Sequence, residues 1–199
     1  VLGVGVGGVG VVFGAVPWGA IVGLVEGDQI GGDVLNYGFL PSKALLAAAN
    51  TAKQVNQSDK FGIKAEIVDL DYAGVMTYVE KKIAEIAPHD SQERFEEMGV
   101  TVLRDYAKFK DPKTVVAGNN EITARRIVLA TGSRTKIPNV KGLDKVNYLT
   151  NESLFDLRKS PRHLAIIGGG PIGVEMEQAH ARLGVKTTRI ELLLIHITE

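Results

Sequence analysis

The 199 residues contain no cysteine. Within them, a disulfide scaffold and a thiolate metal site are excluded. An excess of one charge sign is missing too, since Lys+Arg and Asp+Glu stand at 23 each. A zero balance gives no pull toward nucleic acid or an anionic membrane surface. Charge is absent altogether from the first 25 residues, a run long enough to suggest a membrane span. Eight of those residues are glycine, however, and Pro17 interrupts them. No basic residue precedes the run, as one would in a signal peptide. The glycine spacing favours a buried strand, a turn and a buried helix, so no integral membrane segment is expected. The chain opens on a strand without Met and is expected to be a fragment. Hydrophobic residues make up 45% and charged residues 23%, a globular composition. The length suits one domain with a full core, or one domain and part of another.

One pattern occurs twice. Gly3, Gly5 and Gly8 form G-x-G-x-x-G after an apolar start, and Gly168, Gly170 and Gly173 repeat it after His163–Ile167. Each copy is followed by a helical stretch and a strand ending in an acid, Glu26 or Glu191. Each acid lies 23 residues beyond the first glycine of its copy. The first glycine makes a tight turn, the second lets a pyrophosphate approach the backbone, and the third lets helix pack on strand. The helix start offers free N–H groups to phosphates. The acid can accept hydrogen bonds from ribose hydroxyls. The second copy has a good helix in "PIGVEMEQAHARLG". The first helix, about Gly8 to Gly19, contains Gly10, Gly14 and Pro17. Interior glycine costs ~1 kcal/mol and proline ~3 kcal/mol relative to alanine, so this helix is locally inconsistent.

Between the copies, Pro41 fits the first turn of a helix through "SKALLAAANTAKQV". Asp69 or Asp71 can cap a second helix that stops near Pro88. Asp90 and Glu93 fit a capping box for a short helix closed by Gly99. The period then changes to two: "VTVLRDYAKF", "TVVAG" and "EITARRIVLATG" read as strands, with a turn at Gly118-Asn119-Asn120. "IVLATG" reads as a buried strand ending in a tight turn. Residues 137–160 form a polar connector with a short helix at about Glu152–Arg158.

Four motifs occur in order: a first dinucleotide unit, G-G-x-x-x-N-x-G-x-x-P-S-K from Gly31 to Lys43, Ala130-Thr131-Gly132, and a second dinucleotide unit. Together they resemble the FAD-dependent pyridine nucleotide–disulfide oxidoreductases, and within them the dihydrolipoamide dehydrogenase and mercuric reductase branch. The resemblance covers residues 1–191. It implies an α/β architecture of tandem Rossmann-like FAD and NAD(P) dinucleotide-binding folds with a small β-meander, the second fold truncated. Residues 1–136 would be the FAD-binding part, 137–160 a connector, and 161–199 the start of the NAD(P)-binding domain. Gly3, Gly5, Gly8 and Glu26 would hold the ADP half of FAD, with Gly32, Lys43, Thr131 and Gly132 along the cofactor. Lys43 would lie near the flavin ring and pair with Glu175. Gly168, Gly170, Gly173 and Glu191 would hold NAD(P)H. Glu191 favours NADH, because a carboxylate repels a 2′-phosphate; Arg189 nearby moderates that preference. The implied protein is a cytoplasmic homodimer acting on a small-molecule substrate.

The family's redox cysteines correspond to Val34 and Phe39. Disulfide reduction needs a thiolate, and these two side chains supply none. Three explanations stand side by side: active-site replacement, natural or engineered; a flavin that passes electrons directly to a quinone, dye or oxygen, or a nucleotide-binding chain without dithiol turnover; or a recorded sequence that departs from the encoded one, which the glycine-rich start and the terminal "ELLLIHITE" would suit. The family's acid–base histidine lies in a later domain, so His89, His163, His180 and His196 are expected to be surface or structural residues. Tyr37 either flanks the flavin or packs.

Overall fold

The computed structural model describes residues 1–191. In chain order the elements are α1 (Val6–Ala15), β1 (Gly23–Val25), α2 (Gly32–Asn36), α3 (Phe39–Asn56), α4 (Tyr72–Ile86), α5 (Gln92–Glu97), β2 (Thr101–Leu103), β3 (Ala107–Asp111), β4 (Thr114–Ala117), β5 (Asn120–Thr123), α6 (Asn151–Leu154), β6 (His163–Ile167), α7 (Pro171–Arg182) and β7 (Lys186–Ile190). The chain divides into two compact units. One comprises Val1–Tyr37 with Ile83–Asn151, and the other comprises Gly38–Lys82 with the chain from Glu152 onward.

In the first unit β1 pairs in parallel with β2. Leu2 bridges in parallel to Val25 on one side and to Leu129 on the other. Leu2 therefore runs between β1 and the segment leading to Ala130. Val4, Val12, Val22, Leu24, Phe95 and Val100 form a buried core between this ribbon and the helices α1 and α5. A second cluster joins Leu2 and Val25 to Val115 and Ala117 of the antiparallel meander β3-β4-β5. The β4–β5 register pairs Ala117 with Asn120, so Gly118 and Asn119 make the turn, with Gly118 at φ +56°.

Several expected boundaries shift. α1 runs from Val6 to Ala15, not Gly8 to Gly19, and Val16–Trp18 form a 3-10 turn. Pro17 thus stands outside the α-helix, where its missing N–H breaks no helical bond. Gly10 and Gly14 remain inside, and burial of Val12 against Leu24 and Phe95 offsets their cost. The short helix α5 is capped by Ser91, whose hydroxyl accepts from the Arg94 N–H, rather than by Asp90. "VTVLRDYAKF" is two strands: Asp105 accepts from the Tyr106 N–H and turns the chain, so β2 pairs with β1 and β3 with β4. The expected buried strand at "IVLATG" is a bridged segment with Leu129 63% exposed, because among the described residues no apolar layer covers its outer side. The connector helix is one turn, Asn151–Leu154, instead of extending to Arg158. Among the described residues no helix is long and apolar enough to cross a membrane.

In the second unit β6 pairs in parallel with β7, and α7 connects them. α3 packs along α7. α3 starts at Phe39, two residues before Pro41, which still falls in the first turn where proline is tolerated. Asp71 is the residue that caps α4, accepting from the Gly74 N–H at 2.9 Å. Leu45, Ala49, Met76, Val79, Met176, Ala179 and His180 are buried.

Candidate functional site

The two glycine turns are alike bond by bond. Gly3 donates to the Val25 carbonyl at 2.9 Å, and Gly168 donates to the Ile190 carbonyl at 2.9 Å. Both first glycines have positive φ, +94° and +113°. The third glycines seal the turns. A Cβ on Gly8 would stand 1.9 Å from the Gly3 carbonyl oxygen, and one on Gly173 would stand 2.3 Å from that of Gly168. The middle glycines, Gly5 and Gly170, are the N-caps of α1 and α7 and carry no side-chain cap. A Cβ on either would meet nothing within 4 Å. Each turn is therefore tight where helix meets strand and open at its middle glycine. Free helix-start N–H groups border that opening, which suits a pyrophosphate.

The matched acids also act alike. Glu26 Oε2 accepts from the Val4 N–H at 2.6 Å, and Glu191 Oε2 accepts from the Gly169 N–H. Each acid thus reaches the residue after the first glycine of its own turn. An ionised carboxylate has about four acceptor positions, so the Val4 contact does not exhaust Glu26. Glu26 Oε1 further accepts from the Asp28 N–H at 2.8 Å. Asp28 in turn takes Arg134 on its carboxylate at 3.1 Å and Arg104 on its carbonyl. Sequence reading did not single out Asp28, Arg104 or Arg134. Asp28's sequence signal was a charged residue close behind the acid, and Arg104 and Arg134, 76 and 106 residues from Asp28, carried none.

The G-G and A-T-G motifs converge on the first turn. The Gly31 N–H donates to the Val4 carbonyl at 2.9 Å, and a Cβ on Gly32 would lie 3.2 Å from Gly5 Cα. From the other side the Ala130 N–H donates to the Leu2 carbonyl at 2.7 Å. A Cβ on Gly3 would stand 2.2 Å from the Ala130 oxygen and 2.9 Å from Thr131 Cα. Gly132 follows at φ +68°. Asn36 fastens α2, donating from its amide to the carbonyls of Ile30 at 3.0 Å and Gly32 at 3.1 Å. Val34 is half-buried on this helix. Asn151 donates to the Tyr37 carbonyl at 3.4 Å.

In the second unit Lys43 Nζ donates to Glu175 Oε1, joining α3 to α7. The pair is partly exposed, and such pairs contribute about 0–1 kcal/mol, so its value is placement of the ammonium. Phe39 opens α3 and is 61% exposed. The Lys43 ammonium lies 5.4 Å from the Phe39 ring centroid. Arg189 is engaged with Glu177 at 3.3 Å. His180 is fully buried. Its Nδ1 donates to the Met176 carbonyl at 2.8 Å, so the neutral ring's Nε2 accepts from the Tyr72 hydroxyl at 3.0 Å. Burial pulls His180 below its ordinary 6.5, against a smaller upward push from the Met176 hydrogen bond, and burial pushes Tyr72 up to about 12. His163 is exposed beside Thr188. His196 lies outside the described residues.

Comparison with known proteins fixes the family. The sequence model described as pyridine nucleotide-disulphide oxidoreductase matches residues 1–196. The chain belongs to this family. It is 32% identical over 177 residues to the mercuric reductase of Lysinibacillus sphaericus, covering 89% of this chain and 32% of that protein. It is 33% identical over 196 residues to the dihydrolipoyl dehydrogenase of Geobacillus stearothermophilus, covering 96% of this chain and 41% of that protein. These relatives belong to the branch suggested by the four motifs. Among solved structures, the fold matches the HOCl-induced flavoprotein disulfide reductase RclA of Escherichia coli in its Cu(II) complex. That match has a TM-score of 0.83 at 23% identity and covers 100% of this chain and 43% of that one. The tandem α/β architecture is thus the family's fold, and the chain spans about a third to two fifths of the relatives it matches.

Proposed function

We propose that the chain is the nucleotide-binding part of a flavoprotein oxidoreductase that takes electrons from NADH through FAD and delivers them to a small-molecule acceptor. The observation that carries this reading is the repeated turn: two turns open at the middle glycine, each with its own acid, in one family chain. Residues 1–136 would serve FAD, 137–160 would connect, and 161–199 would begin the NADH-binding part. In the first turn, the N–H groups after Gly5 receive the pyrophosphate and Glu26 accepts from the adenosine ribose. Gly32 and the Ala130–Gly132 turn flank it, and Gly3 and Gly8 let backbone and helix close. In the second turn Gly168, Gly170, Gly173 and Glu191 do the same for NADH. Bound FAD would supply hydride acceptance and onward electron transfer.

NADH is favoured over NADPH because Glu191 would face the added phosphate while Arg189 is held by Glu177. By likeness to the family, Lys43, which the structure pairs with Glu175, would be the cation near the flavin ring. Val34 and Phe39 hold no thiolate, which favours direct delivery from flavin to acceptor over a dithiol relay. The overall transfer to a quinone balances as NADH + H⁺ + quinone → NAD⁺ + hydroquinone. By likeness to the family, the complete protein would be a cytoplasmic homodimer. Denaturing the purified full-length protein and separating its released flavin tests the cofactor. FAD is expected; FMN, or no flavin from a folded sample, would overturn the assignment.

A further inference from the structure

We infer that Glu177 is a specificity-determining residue for the nicotinamide donor: by holding Arg189 along α7, it keeps a guanidinium away from the place of a 2′-phosphate. The inference rests on the NADH reading above and names the residue that disarms the cation two positions before Glu191. The observations lie within β6, α7 and β7 alone. In the parallel register Arg189 pairs with Ile166, and paired residues share a face of the sheet. A Cβ on Gly173, in the first turn of α7, would stand 3.4 Å from Ile166 Cγ2, so Ile166 and Arg189 face α7. There Arg189 Nη1 meets Glu177 Oε2 at 3.3 Å. α7 carries two acids with separate partners: Glu175 takes Lys43, and Glu177 takes Arg189. Glu177 stands six residues beyond Pro171, ~9 Å along the axis from the helix start that borders the open turn. Glu191 stays at the turn itself, accepting from the Gly169 N–H. The acid is thus kept at the turn while the guanidinium is tied off along the helix. Two residues on a strand span about 7 Å, so a released Arg189 reaches the ground beside Glu191. There its planar fork of donors would suit a 2′-phosphate. Both side chains are partly exposed, 37% for Arg189 and 29% for Glu177, so removing one charge undoes the tie without leaving a buried ion.

Two readouts on the full-length FAD-loaded protein test this. The first is calorimetric binding of adenosine 2′,5′-bisphosphate and of 5′-AMP, which differ by the 2′-phosphate alone. Glu177→Gln keeps the side chain's shape and removes its charge. It is expected to tighten the bisphosphate about fivefold, the scale of a partly exposed ion pair, and to leave 5′-AMP affinity where it was. Adding Arg189→Leu should cancel the gain, because no guanidinium remains to be released. The second readout is turnover with ferricyanide as acceptor. The ratio of kcat/KM for NADH over NADPH should fall by a similar factor in Glu177→Gln and recover in the double variant. A bisphosphate affinity that Glu177→Gln does not change, or a gain that persists without Arg189, would overturn the role of Glu177 and leave the oxidoreductase reading standing. A wild type that binds neither nucleotide and oxidises neither donor would overturn both.

Discussion

Gly5 and Gly8 lie three residues apart, yet substitution should affect them in opposite ways. A Cβ at Gly8 collides with the Gly3 carbonyl oxygen, a backbone atom that cannot swing aside. Gly8→Ala is expected to destabilise the fold by about 1–3 kcal/mol, the usual cost of overpacking. The urea midpoint of the cofactor-free protein checks this. A Cβ at Gly5 meets open space. Gly5→Ala should leave that midpoint unchanged and weaken FAD binding at least about tenfold, or about 1.4 kcal/mol, because the methyl occupies the pyrophosphate's approach. Equal midpoints for the two variants would show that the turn is not sealed as described. At the second turn, Glu191→Ala is expected to narrow the proposed preference for NADH over NADPH about tenfold. The ratio of kcat/KM for the two donors measures it. An unchanged ratio would move donor selection to other residues.

The helices α4 and α7 are joined by a buried polar pair whose energetics depend on pH. His180 is held neutral below its ordinary 6.5, mainly by burial. Its contribution to stability is complete above that value. As pH falls, the unfolded chain takes up a proton that the folded chain refuses, and stability is lost with a slope of at most about 1.4 kcal/mol per pH unit. Urea midpoints between pH 7.5 and 5.5 should fall more steeply for wild type than for His180→Gln; parallel curves would refute the buried neutral ring. Tyr72→Phe leaves Nε2 buried without its donor and should cost about 1–3 kcal/mol at pH 7.5. This pair was invisible in the sequence, since a histidine and a tyrosine 108 residues apart carry no shared pattern. Local chemistry was legible: β6, α7 and β7 follow from the strand–glycine turn–helix–strand pattern of the second copy, and the cap of α4 was narrowed to Asp69 or Asp71, of which Asp71 accepts the bond. The misreadings have tertiary or competing local causes. Pro17 moved the end of α1 inward. Ser91 displaced Asp90 as a cap by one residue. Ile127–Ala130 reads as a strand by composition, but its pairing is reduced to a bridge on Leu2.

For the whole chain, the sequence displayed the site better than the contacts that support it. The glycines and acids are visible because dinucleotide binding demands particular residue types at fixed spacing. The links Glu26–Asp28–Arg134 and Lys43–Glu175 depend on chain segments brought together by folding; the second was expected only through family resemblance. The proposed consequence of Val34 and Phe39 concerns electron count. A flavoprotein with a dithiol beside its flavin stores four electrons, two in each centre, whereas one with flavin alone stores two. The most direct measurement is an anaerobic titration of the full-length, FAD-loaded protein with NADH, following the flavin absorbance. Complete bleaching at two electrons per FAD is predicted. Uptake of four electrons per FAD without another redox centre, or an absorbance that NADH does not change, would contradict the account.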